Sequence, residues 1–449
     1  MIEKQFDKFN TFFKQDDRGT FRLKRILING ISVFGSRGIT MLVSIISLPL
    51  TINYLGTERF GMMETMVSLI TIMNFADLGL GFGLQNRVAE LNNSNEKSLH
   101  NAVSSVFSVL IITSIIITTL FIFFYSRVSW EKVFNVNSIL AKNEVNNSVL
   151  IFFVCFIIQI PFSIVQKLQN GFQEGYKGEV WRSIGNICGL CFLVIVVKIR
   201  LGVPYIILAI YGSNALLLIL NFFYYFLFQR KDIFPNPFKF NKQIFLGLYK
   251  DGIIFFGLQM AYIILVSSDR IIISQYLGAS AVAVYSIGFR LATIFSTPVD
   301  AFTLPLLPAF NDALANNDIA WIKKILSKGF KYILIISSLL CLTLILFGNV
   351  IIGVWINKAT QLHLSVLISF GFFIIYSNIN SLLSYTMLTP IFIKKILLRY
   401  IVSITMASFL KIQVVSILGV SGIVWSTIVS MTLFYFTFSL IKLRKEFFY

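Results

Sequence analysis

Tyr54-Leu55-Gly56 recurs as Tyr276-Leu277-Gly278, 222 residues further on, and the chain around it recurs in the same register. From Gly30 (matched by Gly252) to Asn95 (matched by Asn317), 12 of 66 positions are identical without a gap. They include Phe34-Gly35 (Phe256-Gly257), Leu69 (Leu291) and Thr71-Ile72 (Thr293-Ile294). A chain rich in Ile, Leu and Phe matches itself at some positions by chance. The aligned glycines and the Tyr-Leu-Gly word do not arise so easily. Two related membrane halves predict a binding site between them and an alternating-access transporter.

That the halves lie in a membrane follows from composition. Of 449 residues, 56% are hydrophobic and 13% charged, and the mean hydropathy is +0.80, more apolar surface than a soluble domain can hide. A spanning helix needs about 20 mostly apolar residues. Twelve such stretches are expected, near 28–53, 60–86, 101–125, 147–166, 183–199, 204–228, 252–275, 282–310, 332–356, 362–388, 396–416 and 418–441. The polar, basic first 27 residues do not resemble a cleavable signal peptide.

The net charge of +18 does not point to nucleic acid, because the basic residues sit in short loops between apolar stretches. With the N-terminus inside, 27 of the 38 Lys and Arg fall on the cytoplasmic side and 8 outside. This places both termini in the cytoplasm. The polar stretch 229–250 is the expected linker between a six-helix bundle over 28–228 and a second over 251–441, flanked by cytoplasmic segments 1–27 and 442–449. Six spans is an even number, so the two bundles enter the membrane in the same direction and are related by an axis along the membrane normal.

Enzymatic and metal chemistry find little support. Cys188 and Cys191 have redox-like spacing but lie in an apolar run without nearby His, while His100 and His363 are isolated near loops. No phosphate-binding loop is present, so direct ATP hydrolysis is not expected. No outer loop exceeds about 22 residues, which leaves no room for an extracellular catalytic domain.

Charges inside spans are costly and face a partner or a watery cavity. Four spans carry them: Arg37 in the first, Glu64 and Asp77 in the second, Asp269 and Arg270 in the seventh, Arg290 and Asp300 in the eighth. No other span shows a charge near its centre, so these four are expected to wall the cavity and the rest to pack or face lipid. Arg37 and Arg290 lie about ten residues inside their spans, where each serves as a cavity cation or a structural ion-pair partner. Asp269 and Arg270, six residues before Tyr276, read equally as an interfacial ion pair or a functional one. Glu64 lies early in its span and is expected to meet water or Arg59.

Asp77 precedes the glycine cluster Gly79, Gly81 and Gly83, and a structural or gating role is expected for it. Pro298, Pro305 and Pro308 interrupt the corresponding part of the eighth span, as a moving helix at the repeat interface would require. The cytoplasmic connections that follow are expected to form polar helices. In the second, Ile319, Trp321, Ile322 and Leu326 would face the bilayer surface.

The stretch Tyr54-Leu-Gly-Thr-Glu-Arg-Phe-Gly61, followed by Phe75-Ala-Asp-Leu-Gly-Leu-Gly81 and Asn86-Arg-Val-Ala-Glu90, resembles the N-terminal signature of Wzx-type O-antigen and capsule flippases. These form the polysaccharide-transporter branch of the MOP superfamily, which also holds the MATE drug exporters and the lipid II flippases. The resemblance implies an all-α integral membrane protein, with two six-helix bundles around a central cavity. It implies export of an undecaprenyl-diphosphate-linked oligosaccharide repeat unit to the outer leaflet of the bacterial inner membrane. It further implies no cofactor, an energy source left open between H+, Na+ and the membrane potential, and contacts with membrane lipids and polysaccharide polymerase machinery.

Arg37 and Arg290 would hold the diphosphate, since guanidinium groups bind phosphate oxygens in a bidentate manner. Asn74, Gln85, Gln259 and Asn380 are the expected sugar contacts. Glu64, Asp77, Asp269, Arg270 and Asp300 are the candidates for ion coupling or gating. A MATE-like, ion-coupled exporter of small molecules is the alternative.

Overall fold

The computed structural model describes residues 17–73, 79–81, 83–85, 87–88, 96–172, 174–303, 319–356, 361–387 and 393–443. The long helices are α1 (Asp17–Met73), α2 (Glu96–Tyr125), α3 (Ile139–Phe162), α4 (Gly175–Ile199) and α5 (Val203–Gln229) in the first half. The second half contains α6 (Lys242–Leu277), α7 (Ala279–Thr303), α8 (Ile319–Trp355), α9 (Leu364–Met387) and α10 (Ile393–Met431). Among the described residues there is no strand, and nine helices are long and apolar enough to cross a membrane. In hydrocarbon every backbone polar group must be paired internally, which a helix achieves by itself.

The repeated Tyr-Leu-Gly word is a backbone device. Gly56 breaks α1 with φ 75° and ψ 173°, and Gly278 separates α6 from α7 with φ 88° and ψ 164°. Only glycine adopts this combination without strain. The same word therefore ends the first arm of α1 and ends α6, and each time a second helix starts in a new direction. Gly419, with φ 59° and ψ −141°, breaks α10 in a related way.

The two halves meet through small residues and a shared core. A Cβ on Gly61 would sit 1.7 Å from the Ala279 carbonyl oxygen, so the second arm of α1 touches the start of α7 with no room for a side chain. Phe60, Met62 and Met66 from that arm are buried in one cluster with Val282, Ala283 and Ile287 of α7 and Phe370 of α9. A second cluster holds the inner part of the first half, with Leu99, Phe156, Phe222 and Phe226.

Three segments differ from the sequence expectation. First, α1 begins at Asp17, well before residue 28. Second, α6 begins at Lys242, inside the expected linker, because Asn241 caps it: its Oδ1 accepts from the backbone amides of Gln243 (3.0 Å) and Ile244 (3.1 Å). The rest of the linker is tied to α2, where Ser108 donates to the Pro237 carbonyl (2.7 Å) and Ser104 accepts from the Asn236 amide (3.1 Å). Third, Ile322 and Leu326 of the expected bilayer-facing stripe turn inward, while the Trp321 side chain lies outside the described residues. From Ile319 the helix runs unbroken to Trp355, and Ile322 and Leu326 pack against Ile379 and Leu382 of α9. Pro305 and Pro308 lie outside the described residues, whereas Pro298 sits within α7.

Candidate functional site

A cavity of about 990 Å3 is lined by α1, α3, α4 and α5 of the first half and by α6 and α7 of the second. Ser36, Thr40 and Ser44 of α1 face it. Their spacing of four residues puts them on one side of the helix.

The electrostatic centre is a three-residue cluster. Glu64, 3% exposed, follows Gly61 by three residues and so shares the face of α1 that Gly61 presses against α7. Arg290 of α7 donates from Nη2 to Glu64 Oε1 at 2.8 Å and from Nη1 to Ser44 Oγ at 2.7 Å. Arg270 of α6 places Nε 3.4 Å from Glu64 Oε2 and donates to Ser286 Oγ at 3.3 Å. The Arg270 guanidinium also lies 5.7 Å and 5.5 Å from the ring centres of Tyr285 and Phe289, within cation–π range. Two cavity-lining guanidinium groups share one buried carboxylate, so the cluster carries a net positive charge. Arg59, the partner expected for Glu64, instead grips Glu144 through Nε (2.8 Å) and Nη2 (2.6 Å).

Asp269 and Arg270 do not form an interfacial pair. Successive residues on a helix do not face each other, so Arg270 reaches the cavity while Asp269 faces α10. There Lys411, with no exposed surface, places Nζ 2.5 Å from Asp269 Oδ1 and donates to the Leu265 carbonyl at 2.7 Å. The Tyr285 hydroxyl donates to Asp269 Oδ2 at 2.6 Å. A charge in the middle of α10 corrects the expectation that only four spans carry one.

Asp300 lines the cavity and accepts from Ser381 Oγ at 3.0 Å. Arg37 belongs to α1 and Gln259 to α6, but their side chains lie outside the described residues, as do Asn74 and Asp77 altogether. Gln85 and Asn380 are not among the lining residues.

The amides that do line the cavity are Gln159, Gln166, Asn186, Asn214 and Asn221, all on or between α3, α4 and α5. These helices were expected only to pack or face lipid. Lys167 and Arg182 add cations on the same side, Arg182 pairing with Glu179. Among the described residues no group of three or more His, Cys, Asp or Glu could hold a metal ion, and the four cysteines are free thiols.

The arrangement suits a large, polar, anionic ligand: several cations, one lining carboxylate among the described residues, and a wall of amides and hydroxyls. A family model described as polysaccharide biosynthesis protein matches residues 26–314. An O-antigen transporter of Salmonella typhi is 24% identical over 277 residues, 60% of this chain and 61% of that protein. An O-antigen export protein of Yersinia pseudotuberculosis is 24% identical over 176 residues, covering 38% and 39% of the two chains.

The chain thus spans less than two thirds of either relative. Among solved structures, an inward-facing MATE multidrug transporter of the MOP superfamily superposes with a TM-score of 0.77 at 13% identity, over 90% of this chain and 95% of that one. The lipid II flippase MurJ, in an inward closed conformation, gives 0.71 at 15% identity, over 93% and 87%. The fold is shared with both of these structures.

Proposed function

Because this chain belongs to the polysaccharide biosynthesis protein family, we propose that it is a flippase for a lipid-linked oligosaccharide. It moves an undecaprenyl-diphosphate-linked repeat unit, of the O-antigen or capsule type, from the inner to the outer leaflet of the bacterial cytoplasmic membrane. Both termini lie in the cytoplasm, as the distribution of Lys and Arg favours.

The observation that carries this reading is the pair Arg270 and Arg290 on the cavity wall, which among the described residues share the single carboxylate of Glu64. A diphosphate presents several oxygens and more negative charge than one carboxylate. It can occupy both guanidinium forks while Glu64 gives up its share. The walls of Ser, Thr, Asn and Gln receive the glycan, and the polyprenyl tail stays in the bilayer. A MATE-like exporter of cationic drugs would need an acidic cavity. Lys167, Arg182, Arg270 and Arg290 against Asp300, among the described lining residues, argue for the anion. Coupling to H+ or Na+ is part of the proposal, with Glu64 and Asp300 as the acids nearest the ligand.

Mass spectrometry of lipid extracts from a strain lacking the gene tests the reading. Accumulation of an undecaprenyl-diphosphate-linked oligosaccharide is expected, relieved by the wild-type gene but not by Arg290→Ala. Unchanged lipid intermediates together with intact surface glycan would refute it.

A further inference from the structure

The two halves contribute different chemistry to the cavity. Among the described lining residues, α6 and α7 supply Arg270, Arg290, Asp300, two threonines and two apolar side chains, and no amide. Every lining amide, together with Trp181 and Tyr211, comes from the first half.

Three of these residues line the cavity from α4 and α5. Asn186 of α4 donates from Nδ2 to Thr40 Oγ1 at 2.9 Å, and Asn214 of α5 donates from Nδ2 to the Ile210 carbonyl at 2.9 Å. Asn214 packs directly on Gly185, where an added Cβ would meet Asn214 Oδ1 at 2.8 Å and its Cα at 3.5 Å. α4 and α5 are therefore in close contact beside these two cavity-lining residues, and each amide has its Nδ2 engaged by the protein. Trp181 lies five residues earlier on α4, half-buried, and also lines the cavity.

The position of Asn186 relative to the arginines follows from α1. Ser44 holds Arg290 and Thr40 holds Asn186. The two α1 residues are four positions apart on one side of the helix, about 6 Å along its axis. Asn186 thus lies beside the cationic cluster and one turn away from it.

We propose that Trp181, Asn186 and Asn214 form the subsite that reads the glycan, while Arg270 and Arg290 hold the diphosphate without regard to the sugar. This rests on the transport reading above. A sugar presents hydroxyls that both donate and accept, which an anchored amide can meet with its remaining donor and acceptor groups. An indole offers its flat face to the apolar side of a pyranose ring. The arginine pair of α6 and α7 then supplies affinity common to every lipid diphosphate, and the amides of α4 and α5 supply discrimination.

The test is equilibrium binding to the purified full chain in nanodiscs. The probes are citronellyl diphosphate and the same lipid diphosphate carrying glucose, galactose, N-acetylglucosamine or N-acetylgalactosamine. Wild type should distinguish among the sugar probes. Asn186→Ala and Asn214→Ala should each weaken the preferred sugar probe about fivefold or more, the loss of one good hydrogen bond, and leave sugar-free binding unchanged. Retained sugar-free binding also reports an intact fold, and the milder Asn186→Gln and Asn214→Ser serve if the alanine variants do not fold. Arg290→Gln should weaken all probes alike.

Equal binding of every sugar probe by wild type would overturn the proposal. So would discrimination that survives in both Asn variants, or a loss that extends equally to the sugar-free probe. Failure of wild type to bind even citronellyl diphosphate would overturn the transport reading itself, and this inference with it.

Discussion

Lys411 has no exposed surface and sits 2.5 Å from Asp269, so replacing it by methionine strands a carboxylate inside the protein. The Tyr285 hydroxyl at 2.6 Å still donates to that carboxylate, but one neutral donor does not replace an ammonium. Breaking a buried ion pair from one side costs ~3–5 kcal/mol, whereas removing both charges together is often near neutral. Lys411→Met and Asp269→Asn should therefore each destabilise by ~3–5 kcal/mol, and the double variant by less than either. The coupling between the two sites would then exceed ~3 kcal/mol, at or above the upper end of what contacting residues show. Unfolding of the purified protein by increasing fractions of SDS, run as a double-mutant cycle, measures it. Additive single effects, or a cost below ~1 kcal/mol for Lys411→Met, would show that Lys411 is not held in the interior by Asp269.

Three further outcomes follow from other parts of the fold. Gly56→Ala and Gly278→Ala should each cost ~1–3 kcal/mol in the same unfolding assay, although neither position has an atom within 4 Å of the added Cβ; a neutral result would mean that the backbone there is not fixed. Arg59→Lys should lose stability nearly as fully as Arg59→Ala, by ~1 kcal/mol, because only guanidinium spans both oxygens of Glu144, and an unchanged SDS midpoint for the lysine variant would contradict the bidentate grip. Arg290→Ala and Arg37→Ala should abolish surface polysaccharide in a complementation assay while protein levels in the membrane stay normal; normal export by both would remove the arginines from the account.

What could be read beforehand was local. The Tyr-Leu-Gly word announced two equivalent breaks because glycine at φ near +80° is a property of a few consecutive residues. Gly419 makes a third break outside the repeat, at the boundary expected between the stretches 396–416 and 418–441. Arg270, Arg290 and Glu64 stood out because a charge in an apolar helix is conspicuous. Their pairing did not, since Arg290 finds Glu64 226 positions away in the chain.

Lys411 escaped because it lies near the Gly419 break, where a charge reads as the end of a span, and its partner is on another helix. Asn186 and Asn214 were missed for a different reason. A neutral amide costs far less in a membrane helix than a charge, so it does not stand out from the serines and threonines around it. Only the close packing of Asn214 on Gly185 and the bond from Asn186 to Thr40 single them out.

The central claim is movement of a lipid-linked glycan across a bilayer by way of the arginine cluster. The most direct measurement reconstitutes the purified chain in liposomes that carry a short-chain polyprenyl-diphosphate oligosaccharide with a fluorescent sugar, and follows its loss to a membrane-impermeant quencher. Protein-dependent exchange between leaflets is expected for wild type and is expected to vanish for Arg290→Ala reconstituted to the same density. Exchange no faster than in empty liposomes, or equal exchange by the arginine variant, would contradict the account.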